Sequence, residues 1–294
     1  MAEGLVEPRR RRFIQVDVFT KIPYLGNALA VVIDSDNLSV EQMQRFARWT
    51  NLSETTFLLP PVHPDADYKV RIFTPTKELP FAGHPTLGSC FAFLQSGKTP
   101  NNSDFIVQEC GVGLVRIKSR NGTLAFASPP LIKGGPVDDS LVAKIANILE
   151  IDKSEIIDSQ WADNGPGWIA VMLRDAAAVI SLKAPPKSDV SLGVVGFYPK
   201  TEPPNFLYEV RAFFPENGIV VEDPVTGSLN ASIAQWLRKS GKIPQEYIAS
   251  QGPQSVNVFI NSSSIFCFLR NCNRSRRKDL HFVEAGDGGN LGGW

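Results

Sequence analysis

RIFTPTKELPFAGHPTLGS, residues 71–89, returns in altered form as RAFFPENGIVVEDPVTGS, residues 211–228. Both copies open on Arg-x-Phe-x-Pro, at Arg71 to Pro75 and Arg211 to Pro215. The first closes on His84-Pro85-Thr86-Leu87-Gly88-Ser89, the second on Asp223-Pro224-Val225-Thr226-Gly227-Ser228. The offset is 140 from Arg71 to Arg211 and 139 from Gly88 to Gly227. A second pair of segments, 26–32 (GNALAVV) and 167–173 (GWIAVML), repeats at an offset of 141. Two separate matches at nearly one offset predict an internal duplication.

The elements around the repeat are of both kinds. Ile14, Val16 and Val18 alternate with Gln15 and Asp17, the period of a half-buried strand. Residues 27–33 (NALAVVI) form a nearly continuous apolar run, read as a buried strand. Ser39 with Gln42 three residues on has the form of a capping box, and Val40, Met43, Phe46 and Ala47 follow at helical spacing. Strands are predicted at Glu54–Leu59 and around Tyr68, Val70 and Ile72. Helices are predicted from His84 to Gly97, from Asp138 to Glu150 and from Pro224 to Lys239, and residues 128–136 (SPPLIKGGP) read as a linker. The expected fold class is α+β: two similar halves facing each other, with an equivalent helix N-terminus of each aimed at the cleft between them. The expected division is a disordered basic arm over 1–12, domains over 13–128 and 129–262, and an atypical, disordered tail over 263–294.

Bulk properties set the bounds. The chain has 294 residues, 43% hydrophobic and 20% charged, as in a soluble globular protein. Lys plus Arg and Asp plus Glu both number 30, so no global field favours nucleic acid or an anionic membrane. The run Arg9 to Arg12 reads as a solvated arm. Four cysteines (Cys90, Cys110, Cys267, Cys272) form no C-x-x-C pair, so no metal site is expected. The segment MAEGLVEP lacks the apolar region of a signal peptide, and no stretch reaches the about 18 apolar residues of a bilayer span. A cytoplasmic, reduced protein is the expectation.

Helix N-termini carry free N–H groups and a positive dipole end. Two of them converging on a cleft suit an anion, such as a small carboxylate substrate or an enolate-like intermediate. His84 and Asp223 occupy matched repeat positions, each one residue before a proline. Asp is a good N-cap and His a poor one, so His84 is the harder of the two to explain as structure. Ser89 and Ser228 are likewise repeat partners. Glu54, at a strand start, does not stand out from spacing alone.

Four segments, in order, resemble the PhzF-like (phenazine biosynthesis) isomerase family: residues 16–32 (VDVFTKIPYLGNALAVV), 50–59 (TNLSETTFLL), 71–89 and 222–228 (EDPVTGS). The resemblance covers roughly residues 13–252. It implies a diaminopimelate-epimerase-like fold of two pseudo-symmetric domains, each a mixed sheet wrapped around a central helix, with the active site between them. It implies Glu54 as catalytic acid/base, with His84 and Asp223 in contact with substrate and helping to move protons. Gly83, Gly227 and Ser228 would bind substrate. Neither a metal nor an organic cofactor is implied, and a homodimer is. The implied reaction moves a proton between carbons of a small carboxylate-bearing substrate, with burial raising the pKa of Glu54.

Two other readings stand beside it. Racemases of the same fold use one thiol from each half, but residues 111–266 contain no cysteine. A ligand-binding or regulatory protein without turnover remains open on the same scaffold. After Gly252 the chain departs from the family pattern. Residues 256–260 fit a strand, but the remainder of the chain, including the basic run 274–278, reads as a frame-shifted or alternatively spliced end. Without its closing strands, the second sheet is expected to expose an unpaired edge.

Overall fold

The computed structural model describes residues 9–20, 24–120, 123–127, 130–200, 206–216, 218–244, 247–252, 256–261, 264–267, 269–271 and 280–283. The first half contains β1 (Arg10–Val18), β2 (Asn27–Val32), β3 (Glu54–Leu59), β4 (Tyr68–Phe73), β5 (Glu78–Leu79), β6 (Phe105–Cys110), β7 (Gly113–Arg120) and β8 (Thr123–Ala127). The second contains β9 (Lys133–Gly135), β10 (Ile156–Asp163), β11 (Trp168–Leu173), β12 (Ser191–Phe197), β13 (Phe206–Glu216), β14 (Ile219–Asp223), β15 (Tyr247–Gln251), β16 (Val256–Asn261) and β17 (Ser264–Cys267). Among the described residues, five α-helices accompany them: α1 (Val40–Thr50), α2 (Gly83–Gln95), α3 (Asp139–Leu149), α4 (Ala176–Ser181) and α5 (Gly227–Lys239).

The duplication is explicit in the ladders. From β1 to β2, β3 and β4 the pairings run antiparallel, parallel, antiparallel; β4 then takes β5 antiparallel and β6 parallel, and β7 and β8 follow antiparallel. The same succession runs from β10 through β17. Each half crosses to the other at its end. β8 pairs with β17 and β18 (Leu269–Asn271) pairs with β1, while β9 pairs with β10 within the second half. β19 (Leu280–Val283) adds a second antiparallel ladder on β1.

Alternation explains why these strands look apolar throughout. In β11, Trp168, Ala170 and Met172 face the core around the central helices, while Ile169, Val171 and Leu173 pack with Val142, Ile145 and Leu149 of α3. Both faces of the strand are covered, so neither is polar. In the first half Leu29 and Val31 face the α2 side, and Val32 joins Met43, Phe46 and Ala47 of α1. α2 itself is buried almost all round. Leu87 and Phe93, at most 2% exposed, each contribute about 1.5–3 kcal/mol of burial.

Several expectations hold and several do not. The Ser39–Gln42 capping box is present, with Gln42 N to Ser39 Oγ at 3.2 Å and Ser39 N to Gln42 Oε1 at 2.7 Å. The helices predicted near 84 and 138 are α2 and α3. Arg10 to Arg12, by contrast, lie in β1 and not in an arm. Arg12 pairs with Asp34 at 2.7 and 2.9 Å, and Arg11 is buried with a bond to the Asp36 carbonyl. Opposite charges more than 20 residues away hold the run against the protein. Within the segment read as a linker, Lys133–Gly135 forms β9. The backbone at 256–261, 264–267, 269–271 and 280–283 is strand, so the second sheet is carried through β16 and β17 to β8. The end expected to be a patternless tail thus supplies ladder partners to both halves. MAEGLVEP, Cys272 and the basic run 274–278 lie outside the described residues. Among those described, no helix is long and apolar enough to cross a membrane.

Candidate active site

The repeat registers differently from the sequence match. Arg71 holds Glu78 through two bonds of 2.7 and 2.6 Å, and Arg211 holds Glu222 through two of 2.7 Å. Ile72 pairs with Leu79, and Ala212 with Asp223. The counterpart of Asp223 is therefore Leu79, not His84. α2 and α5 start at Gly83 and Gly227, an offset of 144, so the counterpart of His84 is Ser228. The change from 140 to 144 arises in the β13–β14 hairpin, which adds the rungs Phe214–Val221, Pro215–Val220 and Glu216–Ile219. Asp223 ends a strand and caps no helix. The N-cap positions are Ala82 and Thr226, neither with a side-chain capping bond.

The two helix starts meet at their glycines. A Cβ on Gly83 would lie 3.7 Å from the Gly227 Cα, and one on Gly227 would lie 3.8 Å from the Gly83 Cα and 4.0 Å from the His84 nitrogen. Residues without side chains let the two N-termini touch. The predicted convergence is real, although His84 and Asp223, the pair that predicts it, are not equivalent residues.

Glu54 begins β3, and its Oε2 lies 3.4 Å from His84 Nδ1. Both side chains are largely covered, at 17% and 7% exposure. Burial pushes the Glu54 carboxyl up to about 8, aided by the charges of Asp223 and then Glu216. Burial pushes His84 down to about 3, against a hydrogen bond to the Ala28 backbone. Near neutral pH the contact joins a carboxylic acid to a neutral imidazole, not an anion to a cation. Glu54 Oε2 and His84 Nε2 are buried and have no hydrogen-bond partner among the described residues. Such atoms are costly to bury unless something is to bind them.

Asp223 is raised to about 6 by burial, opposed by hydrogen bonds from Thr226, Val225 and Asn27. Thr226 Oγ1 donates to Oδ2 at 2.7 Å, and Asn27 Nδ2 reaches from the first half to Oδ1 at 3.1 Å. Ser228 Oγ accepts from the Trp168 indole at 2.9 Å; because that indole only donates, the serine keeps its own proton for another acceptor. Asn164 donates to the Ser228 carbonyl at 2.9 Å. Ser89, the other serine of the sequence match, is buried against Thr56 at 2.9 Å in the first-half core.

The site therefore joins Glu54 to His84, Gly83 to Gly227, and Asp223 to the first half through Asn27. No hydrogen bond joins Ser228 to Glu54 or His84 among the described residues. Sequence reading missed Asn27, Trp168, Thr226 and Gln251. The signals were present: Asn27 is an amide heading an apolar strand, and Gln251 follows a run of strand residues with no polar alternation. Cys90 lies within α2, fully buried, with burial pushing its thiol far up, so it supplies no thiolate. Among the described residues no group of three or more His, Cys, Asp or Glu is placed to hold a metal ion.

Known proteins resemble this chain in sequence and in fold. The family model described as "Phenazine biosynthesis-like protein" matches residues 16–257. A Schizosaccharomyces pombe relative, Antisense-enhancing sequence 1, is 37% identical over 86% of this chain and 90% of its own length. Trans-2,3-dihydro-3-hydroxyanthranilate isomerase of Pseudomonas chlororaphis is 32% identical over 79% of this chain and 81% of its own. In structure, the Bacillus anthracis phenazine biosynthesis protein of the PhzF family superposes with a TM-score of 0.72 at 20% identity, covering 89% of this chain and 95% of the other. A hydroxyproline epimerase from Agrobacterium vitis shares the fold more distantly, with a TM-score of 0.52 at 12% identity over 94% and 91%. The fold is diaminopimelate-epimerase-like, and the chain belongs to the phenazine biosynthesis-like (PhzC-PhzF) family.

Proposed function

We propose that this protein is a cofactor-independent isomerase that moves a proton between carbons of a small carboxylate-bearing substrate, with Glu54 as its acid/base. The observation that carries the reading is the pair of buried, unpartnered atoms Glu54 Oε2 and His84 Nε2 beside two abutting helix N-termini. A carboxyl raised to about 8 exchanges a proton with carbon near neutral pH with little driving force lost in either direction. Glu54, once ionised, takes the proton from a carbon next to an unsaturated or carbonyl system. The electron pair moves into that system, and Glu54 returns the proton at another carbon. Backbone N–H groups at Gly83–His84 and Gly227–Ser228 stabilise the delocalised anion, and the free Ser228 proton adds a donor. His84, neutral, hydrogen-bonds the substrate. Relatives named as isomerases of a hydroxyanthranilate support the class of reaction.

The test is deuterium incorporation by NMR, with a panel of small unsaturated and hydroxylated carboxylates. Uptake at carbon is expected for the wild type and is expected to fall by about 10²–10⁴-fold in Glu54→Gln. One relative of this chain bears a name with no reaction in it. Tight binding without exchange at any pH would accordingly replace this reading with a ligand-binding one.

A further inference from the structure

Both oxygens of Asp223 are met by donors whose direction is fixed elsewhere. Thr226 N–H, a backbone group that only donates, points at Gln251 Oε1 at 2.9 Å. Asn230 Nδ2 donates to the same oxygen at 2.7 Å while also donating to the Thr226 carbonyl at 3.0 Å. The orientation of the Gln251 amide is thereby settled, and its Nε2 must donate. It does so to the Asp223 carbonyl at 2.9 Å and to Thr226 Oγ1 at 3.0 Å. The Thr226 hydroxyl accepts there, so its own proton points on to Asp223 Oδ2 at 2.7 Å. On the other side Asn27 Nδ2 donates to the Val225 carbonyl at 3.3 Å, which fixes that amide too and leaves it donating to Asp223 Oδ1. Asn27, Thr226, Asn230 and Gln251 are all buried, at 5% exposure or less.

We infer that Asp223 stays a carboxylate throughout the reaction and does not carry the transferred proton, because Asn27 and the Gln251–Thr226 relay keep a donor on each of its oxygens. This rests on the isomerase reading above and withdraws from Asp223 the proton-moving role that the family resemblance implies. A proton on either oxygen of Asp223 would weaken the hydrogen bond that oxygen already accepts, so the two donors favour the charged form, and the Thr226 N–H keeps the relay from reversing. Asp223 is then a fixed anion that disfavours ionisation of Glu54, and Glu54 alone takes and returns the proton. Asn27, Thr226 and Gln251 are positioning residues. The titratable groups around this pair are Glu54 from β3, Glu216 from the β13–β14 hairpin and His84 from α2.

The experiment is a ¹³C-NMR titration of side-chain carboxyls in the full chain without substrate. Asp223→Asn and Glu54→Gln assign the two signals. In the wild type Asp223 is expected to be ionised at neutral pH while Glu54 is still protonated. Thr226→Val and Asn27→Ala each remove a donor from a different oxygen. Each is expected to move Asp223 up by about one pH unit or more and Glu54 down. Thr226→Ser, which keeps the hydroxyl, is expected to restore both. Because Glu54 must be ionised to take the proton, the acid limb of the exchange profile should move to lower pH with Glu54 in Thr226→Val, which a loss of packing alone does not produce. A protonated Asp223 at neutral pH in the wild type overturns the inference, even if both variants fail to fold. So do well-folded Thr226→Val and Asn27→Ala proteins in which neither signal moves. The titration needs no turnover, so absence of exchange on every substrate counts against the isomerase reading and leaves the titration result standing on its own.

Discussion

The two helix starts are built on one frame and filled with opposite chemistry. At α2, Gly83 and His84 stand beside Glu54, and Glu54 Oε2 and His84 Nε2 are left without hydrogen-bond partners among the described residues. At α5, Asp223 accepts bonds on both oxygens and Ser228 is tied to Trp168. β3 opens on Glu54 where its counterpart β12 opens on Ser191. The duplication thus supplied two N-termini, and the halves then diverged. The first holds Glu54, whose protonation can change near neutral pH, and the second holds Asp223, whose two oxygens already accept hydrogen bonds.

Making the same kind of change in both halves puts this difference to its most severe trial. Glu54→Gln is expected to lower exchange by about 10²–10⁴-fold, whereas Ser191→Ala, at the equivalent strand start, should stay within about twofold. Steady-state exchange rates decide it. Equal losses would mean that the halves share the chemistry after all.

The ion pairs offer the next contrast. Arg71 with Glu78 and Arg211 with Glu222 are repeat-equivalent and both bidentate. Arg211 is the more deeply buried, at 7% side-chain exposure against 24%, and it also donates to the Val179 carbonyl at 3.4 Å and to that of Leu182. Removing one partner of a buried pair leaves an uncompensated charge, so Arg211→Met should cost about 3 kcal/mol or more. Arg71→Met, at a partly solvated pair, should cost about 1 kcal/mol or less. Urea midpoints at unchanged m-value measure both.

How legible this was in the sequence depends on what each residue's partner was. The capping box at Ser39 and the doubly covered strand at Asn27–Val32 were readable because their causes lie within a few residues. The duplication was readable from Arg-x-Phe-x-Pro. Its register near the helices was not, because His84-Pro85 and Asp223-Pro224 match by chance across a hairpin that has lengthened by three rungs. Arg9 to Arg12 look solvated in a linear chain, since the acids that hold them, Asp34 and Asp36, come only after the next strand. Glu54 was singled out through resemblance alone, for nothing local separates it from a surface residue. Asn27 and Gln251 were missed because a buried amide shows its purpose only when its partner, here Asp223, is known.

Titration gives a contrast with a sign. Glu54 prefers its protonated form in the folded state, at about 8 against an ordinary 4.5. The folded protein therefore holds more protons than the unfolded chain between those values, and this group makes stability fall as pH rises through them. His84 acts the other way. Held neutral down to about 3 against an ordinary 6.5, it makes stability fall as pH drops below about 6.5. Glu54→Gln should consequently be more stable than wild type by about 2–4 kcal/mol at pH 9, and about equal at pH 4. His84→Gln should gain only on the acid side. Denaturation at three pH values shows both, and a Glu54→Gln gain that does not grow with pH would remove the burial argument for this carboxyl.

The smallest effects test the contact on which the whole arrangement turns. Neither Gly83 nor Gly227 has a positive φ, so alanine at either introduces no backbone strain. At Gly227 the new methyl group would meet the Phe19 ring at 3.5 Å, an ordinary contact, and Gly227→Ala should change stability by less than about 0.5 kcal/mol. At Gly83 it would meet the Phe126 ring at 3.2 Å, so the ring must give slightly, and Gly83→Ala should cost about 1 kcal/mol. Each methyl group also points at the other glycine's Cα, at 3.7 and 3.8 Å, a space that accepts one methyl but not two. The double variant should therefore be worse than the sum of the singles by about 1 kcal/mol, the coupling expected of residues in direct contact. If the helix starts work as one anion site, exchange should fall more steeply in the double variant than stability does, because a separation of a few tenths of an ångström weakens every N–H group aimed at the intermediate while leaving the core around both helices packed.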